Sequence, residues 1–165
     1  SELRLTGSMQ FNESPELFRV DNIVVASDDA AIVTNGQNLD LRIVPIDGSG
    51  SLRIDLTDGM GNSGAFSYTN AIGANTPLES FTLIGDVFTL PEITTVGDQV
   101  YVGERIFLPD FLTSSGGEIS FDGRVTIEND ALVASDGGVV RFQNLVGGAG
   151  SLTVDTGEGL SLIHI

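Results

Sequence analysis

The sequence predicts an all-β chain wound as a parallel β-helix, or β-solenoid, and three observations predict it. Apolar and polar residues alternate in many short segments, no stretch of ten or more residues carries a 3.6-residue period, and blocks of sequence recur in one order along the chain. A β-sandwich or jelly roll is the alternative, because both are also built from short alternating strands. Neither needs to repeat itself, whereas a solenoid adds one similar unit after another along an axis.

In chain order, Leu3, Leu5, Met9 and Phe11 alternate with polar residues around Gly7. Residues 12–22 (NESPELFRVDN) break the pattern and are expected as an insertion. Strands are then expected at 23–26, 39–44, 51–56, 65–69, 80–85, 87–90, 99–103 and 105–108. A second alternating stretch, Ile119, Phe121, Val125 and Ile127, surrounds Gly123 and is followed by 131–134, 139–143 and 151–155. Each is bounded by Gly, Asn, Asp or Ser, which tolerate tight turns and left-handed backbone.

Four blocks repeat. LRLTGSMQF (3–11) matches ISFDGRVTI (119–127), VVASDDA (24–30) matches LVASDGG (132–138), LRIVPIDGSG (41–50) matches VRFQNLVGGAG (140–150) after one gap, and SLRIDLTDG (51–59) matches SLTVDTGEG (151–159). Residues 1–165 thus read as a single domain holding about one and a half copies of a module of roughly 100 residues, 3–59 being related to 119–159 and 66–118 forming the link. Inside the module, Gly-bounded groups of three short strands recur about every 20 residues, the content of one coil. The chain opens in an alternating segment, as expected of a piece of something longer.

Composition excludes several classes of function. There are 23 Asp plus Glu against 7 Lys plus Arg, all seven of them Arg, for a formal net charge of -16. Nucleic-acid binding needs clustered cations, so no nucleic-acid partner is expected. No apolar run approaches the ~20 residues of a spanning helix, so no membrane insertion is expected, and no signal peptide is visible. With no Cys, disulfides and Cys-ligated zinc are impossible. The 41% hydrophobic content separates the chain from disordered acidic tails. Gly is over-represented at 21 residues, and without a G-X-Y period this means many turns.

Residues 73–123 resemble the repeat of large secreted bacterial exoproteins of the filamentous haemagglutinin type and related autotransporter adhesins. The resemblance lies in Thr76-Pro77-Leu78 with Ser80 to Gly85, in Thr94-Thr95 with Gly97, Gln99, Tyr101 and Gly103, and in Leu112-Thr113-Ser114 with Gly116, Gly117, Ile119, Phe121 and Gly123. It covers 66–159 and reaches 1–65 through the internal repeat. It departs from the pattern at Val87-Phe88 and at 107–111, which are bulkier and expected to bulge from a shaft. The resemblance implies a right-handed helix, an extracellular or outer-cell-surface location, a role as shaft or adhesion segment, and no catalytic residues or cofactor. Surface glycans or proteins would be the partners, and an open terminal coil would favour end-to-end self-association.

Acids at Gly-adjacent turns, Asp28, Asp29, Asp58, Asp136, Asp155 and Glu158, are candidate Ca²⁺ ligands should stacked turns bring them together, since Ca²⁺ takes six to eight oxygens. Neither an EF-hand nor a G-G-x-G-x-D array is present. Solvated acids that keep a rod soluble are the simpler reading. The competing function is a carbohydrate-active β-helix enzyme, a polysaccharide lyase or hydrolase, or a carbohydrate-binding module. Asp28 with Asp29, and Asp122 near Arg124, would supply its carboxylates and cation. Among aromatics, Phe66, Phe81, Phe121 and Phe142 are expected in the core and Tyr101 in a structural role. Phe107, Pro109 and Phe111 are the candidate exposed binding patch, and Tyr68 deserves the same inspection. Arg4, Arg42, Arg53, Arg105, Arg124 and Arg141 are expected to face outward and pair with acids on adjacent coils, and His164 to lie in a strand of a truncated coil.

Overall fold

The computed structural model describes residues 1–13, 20–42, 44–158 and 161–163. The His164 expectation lies outside them, as do positions 14–19 of the segment expected as an insertion. The described strands pair in parallel and stack as a β-solenoid of about seven turns, with no helix among the described residues. This excludes the sandwich alternative. A sandwich is made of antiparallel sheets packed face to face, and the one antiparallel bridge among the described residues, Thr57 to Ser63, closes a loop.

Each coil visits three faces. The first carries Glu2–Leu5, Asn22–Val25, Ile46–Asp47, Ile93–Thr95, Phe111–Ser114, Ala131–Ser135 and Leu152–Asp155, with a bridge at Ile72 filling the rung between Ile46 and Ile93. The second carries Ser8–Gln10, Ala30–Val33, Ser51–Asp55, Ser80–Ile84, the starts of Gln99–Phe107 and Ile119–Ile127, then Val140–Phe142 and Ser161–Ile163. The third carries Leu39–Arg42, Phe66–Tyr68, Val87–Thr89, the ends of the two long strands and Val146–Gly148. Phe81 stands beside Gln99, Gln99 beside Ile119, and Ile119 beside Val140, so a coil takes about twenty residues.

Alternation builds the core. Inward positions on the first face form one column, Leu3, Ile23, Ile46, Ile72, Ile93, Leu112, Val133 and Val154. On the second face Ile32, Ile54, Leu83, Tyr101, Phe121 and Phe142 line up, all at 0% exposure. Full burial of a side chain of this size stabilises by roughly 1.5–3 kcal/mol relative to leaving it in water. The in-register pairing also stacks the rings, with centroids 5.1 Å apart for Tyr101 and Phe121 and 4.8 Å for Phe121 and Phe142, the latter tilted by only 4°. Phe66, Phe81, Phe121, Phe142 and Tyr101 are buried as the alternation requires, and so is Tyr68, whose hydroxyl donates to the carbonyl of Val44 at 2.9 Å. Burial pushes both tyrosine phenols well above their ordinary range.

A polar group sits inside the lumen. Gln99, at 0% exposure, accepts from the Tyr101 hydroxyl at 2.8 Å and donates to the Thr113 carbonyl at 2.7 Å and the Thr95 hydroxyl at 3.1 Å. Both amide N–H donors and the amide oxygen thus have partners, which is the condition for burying the group at little cost.

Glycines make the corners. Between the second and third faces Gly85, Gly103 and Gly123 stack, and a Cβ on Gly123 would lie 1.9 Å from the Gly103 carbonyl oxygen. No side chain fits where successive coils approach along the axis.

Three expectations change. Leu3 pairs with Ile23, so the first coil has the ordinary length of about twenty residues and no added length of the kind an insertion at 12–22 would give. The long coil is the one from Ile54 to Leu83, where the loop closed by Thr57 and Ser63 adds residues. Of Arg4, Arg53, Arg105, Arg124 and Arg141, only Arg141 pairs with an acid of the neighbouring coil, Glu118 at 3.5 Å, whereas Arg53 pairs with Asp55 of its own strand at 2.6 Å. Matched blocks of the long repeat often fall on different faces: Leu52 and Ile54 belong to the second face, Leu152 and Val154 to the first. Val25 and Val133 do share a face.

Candidate functional site

Most of the outer surface is regular, and one departure from regularity lies at the corner between the second and third faces. Val102 pairs with Asp122 but Arg105 pairs with Arg124, so Gly103 and Glu104 together oppose Gly123 alone. This is a β-bulge, a device that re-aims side chains and recurs next to binding sites. It turns the strand from the second face to the third while shifting the alternation. Arg105 and Arg124, which a strict period would not align, emerge side by side on adjacent coils.

A groove runs along this corner in two halves, each of about 380 Å³. The shared wall is Arg105 and Arg124. One half adds Glu104, Asp122 and Asn144, the other Thr126, Val146 and a floor of Gly147 and Gly148, with Leu145 between them. Leu145 is 57% exposed. The Asn144 amide reaches towards Asp122 at 3.4 Å. Among the described residues, neither the Arg105 nor the Arg124 guanidinium makes an ion pair or hydrogen bond, although the chain carries 23 acids. Like charges placed directly opposite on neighbouring strands repel. The arrangement therefore offers two fork-shaped donors, two carboxylate acceptors and an apolar shelf.

The acids singled out from sequence are distributed along the shaft. Asp28 and Asp29 are exposed beside Ser51, Arg53, Ser80 and Thr82, near the N-terminal end. Asp136 and Asp155 flank Ser114, Ser135 and Gly157 about five coils away, some 24 Å at the usual strand spacing. Glu158 is exposed and outside that group. Among the described residues no three acids or His gather as a metal would require. Asp58 is committed to its own loop, accepting from the backbone N–H of Met60 at 2.7 Å and Asn62 at 3.0 Å and from the Asn62 amide at 2.5 Å, which hold its carboxyl below the usual range.

Asp47 was not singled out by sequence, yet it ties two coils together. It accepts from the Asn75 backbone and side chain, both at 2.9 Å, and from the Thr76 backbone at 3.1 Å. Burial acts to raise its pKa, and these hydrogen bonds outweigh burial and lower it.

Of the aromatic patch, Phe111 is 51% exposed, while Phe107 and Pro109 are half-buried. Phe107 lies on the third face and Phe111 on the first, with Pro109 at the corner between them. They do not form one flat platform. The sequence pointed to Asp122 near Arg124 but missed Arg105, whose alignment depends on the bulge. The available signal was the one-residue difference between Gly103-Glu104-Arg105 and Gly123-Arg124.

No family model matches the chain, and no curated protein or solved structure matches it either.

Proposed function

We propose that the chain is a shaft or adhesion segment of a large secreted or surface-exposed bacterial repeat protein of the filamentous haemagglutinin type, and that it performs no catalysis. One observation carries the reading: an apolar lumen runs through about seven coils with the acids turned outward. Such a body gains length by about 4.8 Å per coil and changes little in cross-section. Its charge of -16 suits an exposed rod in a salty medium, where repulsion is screened beyond about 8 Å. Adhesion, as distinct from length, requires a contact surface, and the Arg105 and Arg124 groove favours carbohydrate as what is contacted.

The test is incubation of the purified chain with neutral and acidic polysaccharides. No new chain ends should appear. Sustained release of ends, abolished by Asp122→Asn, would replace the shaft reading with the carbohydrate-active enzyme. In cells, the parent protein should be retained at the outer surface, and its confinement to the cytoplasm would refute the location.

A further inference from the structure

We infer that the groove at the corner between the second and third faces binds an acidic polysaccharide through sugar carboxylates, with Arg105 and Arg124 as the recognising pair. This rests on the adhesion half of the function proposed above and deepens it. The starting point is an imbalance. A chain with more than three acids for every cation leaves two guanidinium groups unpaired, side by side and exposed, and places them there through a bulge. An anion bridging them would remove their mutual repulsion and satisfy planar forks suited to carboxylates.

The rest of the groove narrows the kind of anion. Glu104 and Asp122 stand beside the arginines and accept hydrogen bonds, so the ligand must present donors as well as negative charge. They also repel ligands whose outer surface is uniformly anionic, which disfavours phosphate chains and nucleic acids. Leu145 and Val146 offer an apolar shelf, and Gly147 and Gly148 leave open backbone on which a ring can lie. No atom lies within 4 Å of the position a Gly147 Cβ would take. A carboxylate, several hydroxyls and an apolar ring face occur together in a uronic acid unit. The paired arginines lie about 4.8 Å apart along the shaft axis, so one carboxylate can bridge them or successive units can engage each in turn.

The experiment is titration calorimetry of the folded chain with a uronic acid oligomer in buffer containing a chelator, so that no divalent cation bridges protein acids to sugar acids. The comparison ligands are a neutral oligosaccharide of equal length, a sulfated one and a short polyglutamate peptide. Binding of the oligouronate is expected, and Arg105→Gln or Arg124→Gln should weaken it about tenfold or more, the loss of one charge-assisted contact. Arg105→Lys should fall between, since it keeps the charge and loses the fork. Arg53→Gln, on another face, should bind like the unaltered chain. Both glutamine variants should keep the unfolding midpoint, because they relieve repulsion between exposed groups. Absence of oligouronate binding would overturn the proposal, as would equal binding of the neutral sugar, tighter binding of the sulfated sugar or peptide, or arginine variants that bind unchanged. None of these failures touches the shaft reading, which the polysaccharide turnover assay tests separately.

Discussion

Gly123→Ala is the perturbation for which the structure gives the largest effect from the smallest chemical change. The added methyl would sit 1.9 Å from the Gly103 carbonyl oxygen, whereas real Cβ contacts shorter than 3.0 Å essentially do not occur. The backbone at Gly123 is not left-handed, so alanine suffers no conformational penalty of its own. All the cost is steric. Relief requires the two coils to part by more than about 1 Å at this corner, which stretches ladder hydrogen bonds beyond useful length. Overpacking costs typically 1–3 kcal/mol, and one or two lost backbone hydrogen bonds add about 0.5–1.5 kcal/mol each. The expected loss is about 2–5 kcal/mol, a large part of the 5–15 kcal/mol that stabilises an ordinary domain.

The assay is urea unfolding followed by far-ultraviolet circular dichroism, with tyrosine fluorescence as a second probe. Gly7→Ala and Gly147→Ala are the controls, because neither Cβ would meet an atom within 4 Å and neither residue has a left-handed backbone. Both should lie within about 0.5 kcal/mol of the unaltered chain, or gain up to about 1 kcal/mol by restricting the unfolded state. A Gly123→Ala midpoint equal to the parent's would refute the corner argument. So would a control that costs as much as Gly123→Ala, which would mean that glycine content rather than close approach matters. In a solenoid the coils interact only with neighbours, so the damaged protein should also lose cooperativity, its two probes separating.

Three further predictions concern polar groups. Gln99→Leu should destabilise by about 1–3 kcal/mol by stranding the Tyr101 hydroxyl, while Gln99→Leu combined with Tyr101→Phe should recover part of that loss; strict additivity in the double-mutant cycle would contradict the network. Asp47→Ala should cost about 1–2 kcal/mol by orphaning the Asn75 and Thr76 backbone donors, and an unchanged thermal midpoint would show that water replaces them freely. Asp47, Asp55, Asp58 and Asp130 all have folded pKa values below the ordinary value, so their stabilisation is complete above the unfolded value near 3.9 and is lost as pH falls through the lower folded values. In about 0.5 M salt, where general repulsion is screened, stability should hold from pH 8 to 5 and decline below about 4; a midpoint that rises on acidification would reverse the sign.

Strand alternation was legible because every face of a solenoid obeys it. Ser51–Asp55 and Ser80–Ile84 show their inward Leu52, Ile54, Phe81 and Leu83 directly. Ile93–Thr95 and Val146–Gly148 were missed because each holds a single large apolar residue, whereas Phe66–Tyr68 and Val140–Phe142, equally short, show two at alternate positions. The stretches 99–103 and 105–108 read as two strands, yet 99–107 forms one, because the bulge interrupts the alternation without interrupting the pairing. Self-similarity could detect the solenoid but not its register. Any Gly-bounded alternating strand resembles any other, which is how Leu52 on one face came to match Leu152 on another. The groove depends on register, so it was less legible than the fold.

Regularity itself explains why the candidate site lies where it does. A perfect solenoid repeats each outward position along straight columns, and its stability comes from that repetition. A column of like charges would accumulate repulsion, so charged outward positions are normally staggered or mixed, as Arg53 with Asp55 and Arg141 with Glu118 are. To set two arginines together without an acid bound between them, the chain must depart from its own pattern, and the extra residue at Glu104 is that departure. The glycines of this corner hold the departure in place, since Gly123 lies against the Gly103 carbonyl with no slack along the axis. Close packing thus fixes the spacing of the backbone at Arg105 and Arg124, which a flexible loop would let drift apart. A ligand that bridges them meets two side chains rooted at a fixed spacing, so binding has to order the side chains but not the backbone that carries them.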